Sequence, residues 1–241
     1  MVWTQCIESR PFAEQQLICF PHAGGSPYFF RGWGKALQDF EPHAVCYPGR
    51  AERIAESPAT DLKAMTRQIA ASLRPLMESR PTVFFGHSMG AIVAYETACV
   101  LAEDGDGPTH LFASGARAPQ LMKGDPAAAL QWDDESIARN LLELGGTDAG
   151  LLSNPTFLEL VMPYIGADFR MLSAYSADER APLDCAVTAL VGASDPRVSA
   201  EQAAAWREST RGPFRSVSLP GDHFYLAEAP PYAIIREATA G

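Results

Sequence analysis

Residues 82 to 101 read Thr82-Val83-Phe84-Phe85-Gly86-His87-Ser88-Met89-Gly90-Ala91-Ile92-Val93-Ala94-Tyr95-Glu96-Thr97-Ala98-Cys99-Val100-Leu101. The apolar, aromatic opening suits a buried strand, and the stretch after Gly90 suits a helix. Between them stands a serine with glycine two places away on either side. A serine projected from a tight strand-to-helix turn sits in a strained backbone conformation, and small neighbours relieve the crowding around it. The bare Gly-x-Ser-x-Gly pattern is weak alone; the strand before it and the helix after it make it a nucleophile elbow, with Ser88 as candidate nucleophile. An elbow of this kind points to acyl hydrolysis.

Outward from the elbow, short apolar runs recur at Leu17-Ile18-Cys19-Phe20, Ala44-Val45-Cys46-Tyr47, Leu111-Phe112-Ala113, Val187-Thr188-Ala189-Leu190-Val191 and Val217-Ser218-Leu219. Helix-compatible segments lie between them, at about 61–78, 89–103 and 200–210. This alternation predicts an α/β fold: a mainly parallel central sheet with helices on both faces, and ligands collected at the carboxyl ends of the strands. The rhythm breaks between Gly115 and Tyr175. There Asp134 to Leu144 reads as a capped amphipathic helix ending at Gly145-Gly146, and Thr156 to Met162 as another that meets Pro163 and resumes through Asp168 to Leu172, so a bend or break is expected at the proline. Residues from about 117 to 170 read as a helical lid, with plain cover for the sheet as the alternative.

The chain has 241 residues with 47% hydrophobic content, which bounds it to one sizeable core and a single α/β domain over residues 1–241. No apolar stretch is long enough to span a membrane, and the first residues lack a basic start followed by an apolar signal core. The five cysteines (Cys6, Cys19, Cys46, Cys99, Cys185) are scattered and never form a Cys-x-x-Cys pair, which argues against zinc or a disulfide framework. A cytoplasmic location is expected. The net charge of −10, with no basic run, disfavours nucleic acid and anionic membranes as partners. Neither His-Glu-x-x-His nor a phosphate-binding Gly-x-x-x-x-Gly-Lys-Ser/Thr pattern occurs, so no metal and no cofactor are expected.

A serine hydroxyl is a poor nucleophile near neutral pH; it needs a base, and the base needs an orienting carboxylate. Five histidines compete: His22, His43, His87, His110 and His223. Only His223 follows the last strand-like run, on a loop able to carry it over Ser88. His87 adjoins the nucleophile and points away from it, and His22 opens a glycine turn suited to another task. Asp195, directly after the Val187–Val191 run and before a stiffening proline, is the preferred acid. Asp222 adjoins His223 too closely to orient it, and Asp184 precedes its strand. The order Ser88, Asp195, His223 is that of the α/β-hydrolases. For the oxyanion, one backbone donor is expected from Met89 at the positive end of the following helix, the other from Ala23 in Pro21-His22-Ala23-Gly24-Gly25-Ser26.

These residues resemble the stand-alone type II thioesterases that accompany polyketide synthases and nonribosomal peptide synthetases. The resemblance runs through Phe20 to Ser26, Tyr47-Pro48-Gly49-Arg50 with Glu52-Arg53, Gly86 to Ala91 with Ala94-Tyr95-Glu96, Ser114 to Pro119, Gly192 to Pro196, and Asp222-His223-Phe224. It departs in the lid, where Gly166-Ala167-Asp168 stands in place of the family's frequent Arg-Ala-Asp. The resemblance implies an α/β-hydrolase with a helical lid that removes stalled or mis-primed acyl groups from the phosphopantetheine arm of acyl or peptidyl carrier proteins. It implies Ser88 as nucleophile, His223 as base, Asp195 as its partner, and Ala23 and Met89 as oxyanion donors, in a protein expected to be a monomer. A general esterase or acyl-coenzyme A thioesterase of the same fold, and a noncatalytic carrier-binding module, remain as alternatives. Leu121, Met122, Met162, Tyr164 and Phe169 are candidates to line the acyl chamber, with core packing as the alternative. Arg50, Arg53 and Arg117 are candidates to meet an acidic carrier near its mouth, with solvated surface arginine as the alternative.

Overall fold

The computed structural model describes residues 3–144, 150 and 154–240. Its strands are β1 (Thr4–Cys6), β2 (Gln15–Phe20), β3 (Phe40–Val45), β4 (Thr82–His87), β5 (His110–Ser114), β6 (Ala186–Gly192) and β7 (Phe214–Leu219). They form one sheet in the order β1-β3-β2-β4-β5-β6-β7, parallel throughout except where β1 pairs with β3. The helices are α1 (Trp33–Ala36), α2 (Leu62–Met77), α3 (Met89–Ala102), α4 (Pro126–Ala129), α5 (Asp134–Glu143), α6 (Pro155–Ser173), α7 (Ala200–Ala204), α8 (Tyr225–Glu228) and α9 (Tyr232–Thr239).

The strand runs read as continuously apolar because both faces of the sheet are covered. Ile18, Phe20, Phe84, Leu111 and Val187 pack under α2 and α3, against Met65, Ile69, Leu73 and Ile92. Leu17, Cys19, Val83, Phe85 and Leu190 alternate to the other face, where Trp33, Leu226 and Ile235 cover them. Each such side chain contributes roughly 1.5–3 kcal/mol by leaving water, and the central strands have no exposed face to lose. Among the described residues no helix is long and apolar enough to cross a membrane.

The segment between β5 and β6 carries α4, α5 and α6. Asp133 caps α5 by accepting from the Ser136 N–H, and Asn154 caps α6 by accepting from the Phe157 N–H. The inner faces of α5 and α6 join in a small core of Ile137, Leu141, Val161, Met162 and Ile165. The Gly145-Gly146 stop expected after α5 lies outside the described residues.

Three expectations need correction. Of the bend or break expected at Pro163, the break does not occur: α6 runs on through the proline. Pro163 and Glu159 lie on its exposed face, open to solvent, while buried Val161, Met162, Ile165 and Asp168 hold the opposite face in register. The second strand-like run is displaced: β3 starts at Phe40, because ladders on both sides fix Phe40 to Val45 although Glu41, Pro42 and His43 do not look like a strand. The three-residue edge strand β1 is too short to leave a periodic signal.

Candidate active site

Parallel pairing puts the carboxyl ends of β2, β4, β5, β6 and β7 along one edge of the sheet, and every residue of the expected site follows one of them. Ser88 turns the chain from β4 into α3 at φ 55°, ψ −120°, a left-handed backbone seldom adopted by a residue with a side chain. Its N–H donates to the Ser114 carbonyl at 2.7 Å. The flanking glycines are needed for close approach: a Cβ on Gly86 would lie 2.2 Å from the Gly90 oxygen, and one on Gly90 2.0 Å from the Phe20 oxygen. The elbow is thus wedged between its own helix and the end of β2.

His223 stands on the loop after β7, 3% exposed, and its Nδ1 lies 2.8 Å from Asp195 Oδ2. A carboxylate only accepts, so Nδ1 carries a proton, and in the neutral ring the lone pair sits on Nε2. The other Asp195 oxygen accepts from the backbone N–H groups of Arg197 (2.8 Å) and Val198 (3.2 Å), which orients the carboxylate. Asp222 is exposed and its carboxylate accepts from the Phe224 N–H at 2.8 Å, while Asp184 pairs with Arg211 at the opposite edge. His43 and His110 also lie away from Ser88: His43 faces Glu41 on β3, and His110, at the start of β5, bonds Thr188 Oγ1 at 2.9 Å.

His87 and His22 are closer to the chemistry than their sequence positions suggested. The His87 ring is fully buried beneath His223, centroids 5.1 Å apart, with Nδ1 2.9 Å from Ser114 Oγ, which in turn lies 2.7 Å from the Tyr225 hydroxyl. His22 packs between Phe29 and Phe224 at 4.7 and 4.9 Å. Burial, then the neighbouring His223 and Arg50, pushes the His22 imidazole down to about 3. Burial also holds His87 well below its ordinary range. Both rings are therefore neutral supports for the site. Ser114 opens one of the stretches that carry the family resemblance but was given no role there, and Tyr225 was not singled out in the sequence.

Two cavities meet at Ser88. The larger, about 260 Å³, runs past His223, Ile92, Met122, Trp132, Phe169 and Val198, with Arg117 and Arg197 also on its wall. The smaller, about 180 Å³, is bounded by His22, Ala23, Gly24, Tyr164, Ile165 and Phe224. Leu144, Phe169 and Leu172 belong to both, so the α5–α6 segment roofs the serine. Of the expected lining residues, Met122, Tyr164 and Phe169 face these cavities; Met162 is buried between α5 and α6, and Leu121 is 42% exposed. At the departure in the lid, a Cβ on Gly166 would meet Arg170 Nη2 at 2.7 Å, so Arg170 occupies that space.

Ala23 lies beside Ser88 on the loop after β2, and Met89 opens α3, whose first N–H groups have no carbonyl of their own helix to bond. Of the three arginines expected at the mouth, Arg50 and Arg53 are instead buried. Arg50 pairs with Asp168, and Arg53 pairs with Glu56 and lies over the Trp3 ring at 4.0 Å. The third, Arg117, is exposed on the wall of the larger cavity. Burial removes the other two because their guanidinium groups find carboxylates and aromatic faces inside the fold, which spacing in sequence does not reveal.

A mostly parallel sheet, a serine on a strained elbow and a histidine bonded to a buried carboxylate define an α/β-hydrolase. The thioesterase domain family matches residues 15–240, and the chain belongs to that family, whose members are thioester hydrolases. It is 39% identical over 217 residues to a probable cadicidin biosynthesis thioesterase of Streptomyces griseus; the alignment takes in 88% of this chain and 58% of that protein's length. The solved thioesterase RedJ of the prodiginine pathway in Streptomyces coelicolor superimposes with a TM-score of 0.84 at 35% identity, over 95% of this chain and 85% of that one. YbtT, a type II thioesterase from the yersiniabactin NRPS/PKS pathway, gives a TM-score of 0.87 at 28% identity, over 99% and 97%.

Proposed function

We propose that this chain is a type II thioesterase that hydrolyses stalled or mis-primed acyl groups from the phosphopantetheine arm of carrier proteins in an NRPS/PKS-type pathway. The observation that carries the reading is the convergence of Ser88 and the Asp195-bonded His223 on one apolar cavity. In this reading Ser88 Oγ attacks the thioester carbonyl carbon while His223 Nε2 takes its proton. The oxyanion that forms is received by the backbone N–H groups of Ala23 and Met89. Collapse breaks the C–S bond, the pantetheine sulfur leaves with the proton from His223, and an acyl-Ser88 ester remains. Water then attacks that ester with His223 again as base, releasing a carboxylic acid and restoring the serine. No cofactor enters these steps.

The two cavities that meet at Ser88, about 260 and 180 Å³, are small and lined mainly by apolar side chains. Short to medium acyl chains are the expected substrates. The test is loss of acyl mass from acetyl-, propionyl- and longer acyl-carrier proteins, followed on the intact carrier with wild type and Ser88→Ala. The variant is expected to lose nearly all turnover, keeping at most about 10³–10⁴-fold over water from the oxyanion donors and binding. Equal turnover by both proteins would reject Ser88 as nucleophile. Equal rates on carrier-bound and free pantetheine thioesters would favour a general esterase.

A further inference from the structure

Asp168 of α6 and Arg50 of the loop after β3 are 1% and 2% exposed, yet neither lines a cavity at Ser88. They form a two-pronged ion pair: Arg50 Nη1 donates to Asp168 Oδ2 at 2.6 Å, and Nη2 to Oδ1 at 2.8 Å. The guanidinium also lies over the rings of Tyr164 (4.6 Å) and Tyr47 (5.2 Å). Two further bonds reach the loop after β2: Asp168 Oδ2 accepts the Gly24 N–H at 2.8 Å, and Arg50 Nη1 donates to the Gly25 carbonyl at 3.2 Å. Gly24 is left-handed at φ 77°, and a Cβ there would lie 3.0 Å from Ile165 Cγ1, so α6 is pressed against the loop. One carboxylate thus joins three segments distant in sequence, one peptide plane away from the Ala23 N–H.

Stability alone is a poor account of this arrangement. Desolvating two charges offsets most of their attraction, and well-packed apolar replacements often serve a fold as well. What a paired guanidinium and carboxylate supply better than apolar groups is orientation. We infer that Asp168 and Arg50 are a positioning pair that fixes the loop after β2 against α6, so that the Ala23 N–H is aimed at the oxyanion before substrate arrives. The inference rests on the hydrolase reading above. It makes α6 part of the catalytic frame.

The test compares wild type with Asp168→Asn, which keeps an acceptor for Gly24 and weakens the fork, and with Arg50→Met/Asp168→Leu, which removes both charges together. Melting, kcat, KM and affinity for an alkyl boronic acid, which forms a tetrahedral adduct on Ser88, are measured on each. The double variant is expected to stay folded and to melt several degrees below wild type, because the Gly24 N–H and the Gly25 carbonyl lose their partners. Its kcat and boronate affinity should fall about 10²-fold, the cost of a misaimed oxyanion donor, with KM changed less than about threefold; Asp168→Asn should fall between. A folded double variant with kcat and boronate affinity within threefold of wild type overturns the inference. Loss of folding in both variants overturns it too, by making the pair a support of the fold. An inactive wild type would defeat the hydrolase reading and the inference together, whereas an active wild type with an unimpaired variant defeats only the pair's role.

Discussion

Acidification offers a quantitative test of the histidines His22 and His110, the first half-buried and the second buried. His22 is held down to about 3 by burial and by nearby His223 and Arg50, and His110 to about 4 by burial alone. In the unfolded chain both titrate near 6.5. Between those limits the unfolded state binds more protons than the folded one, so stability rises with pH and is lost as pH falls below about 6.5. From 6.5 to 5 is 1.5 units at about 1.36 kcal/mol each, or about 2 kcal/mol per histidine and about 4 kcal/mol for the two. His87, shifted the same way, adds to the loss. Against a typical total of about 5–15 kcal/mol, that is a large fraction, and it falls above the range where most carboxylates titrate. The assay is urea unfolding at pH 7 and pH 5 for wild type and His110→Gln; glutamine can still bond Thr188 but does not titrate. Wild type should lose at least about 4 kcal/mol, and the variant about 2 kcal/mol less than wild type. Equal midpoints for wild type at the two pH values would show that these rings accept protons in the folded state, and the burial argument would fail.

Gly90→Ala should lower stability by about 2 kcal/mol or more, a fall in Tm of about 4–8 °C, because its Cβ would collide with the Phe20 carbonyl at 2.0 Å; calorimetry reads this directly. Trp132→Ala, at the far wall of the larger cavity, should raise kcat/KM for longer acyl chains relative to acetyl, measured in competition between two acyl-carrier substrates. Arg117→Glu should slow hydrolysis from an acidic carrier several-fold at low salt while leaving a free pantetheine thioester unaffected. An equal effect on both substrates would place Arg117 in the acyl chamber rather than at the docking surface.

The elbow was legible because its chemistry is local. A strand, a serine between two glycines and a helix occupy twenty consecutive residues, and the crowding that demands the glycines arises within that span and the adjoining strand end. Asp195 and His223 were legible because each follows an apolar run, and parallel strands place all such positions at one edge. Pro163 does not break its helix because the buried face of α6 holds the turns on both sides of it. Arg50 and Arg53 misled because an arginine's surroundings are set by whichever carboxylate or ring folds against it, here Asp168 at a separation of 118 residues for Arg50. The same holds for the Ser114–Tyr225 bond, which joins residues 111 apart beside His87 and His223. Periodicity and turn chemistry depend on near neighbours, so the sequence by itself determined the fold class and the order of the candidate triad. Burial, ion pairing and cavity shape depend on contacts between distant segments, so only the tertiary structure decided which cations are inside, what roofs Ser88 and what aims the loop beside it.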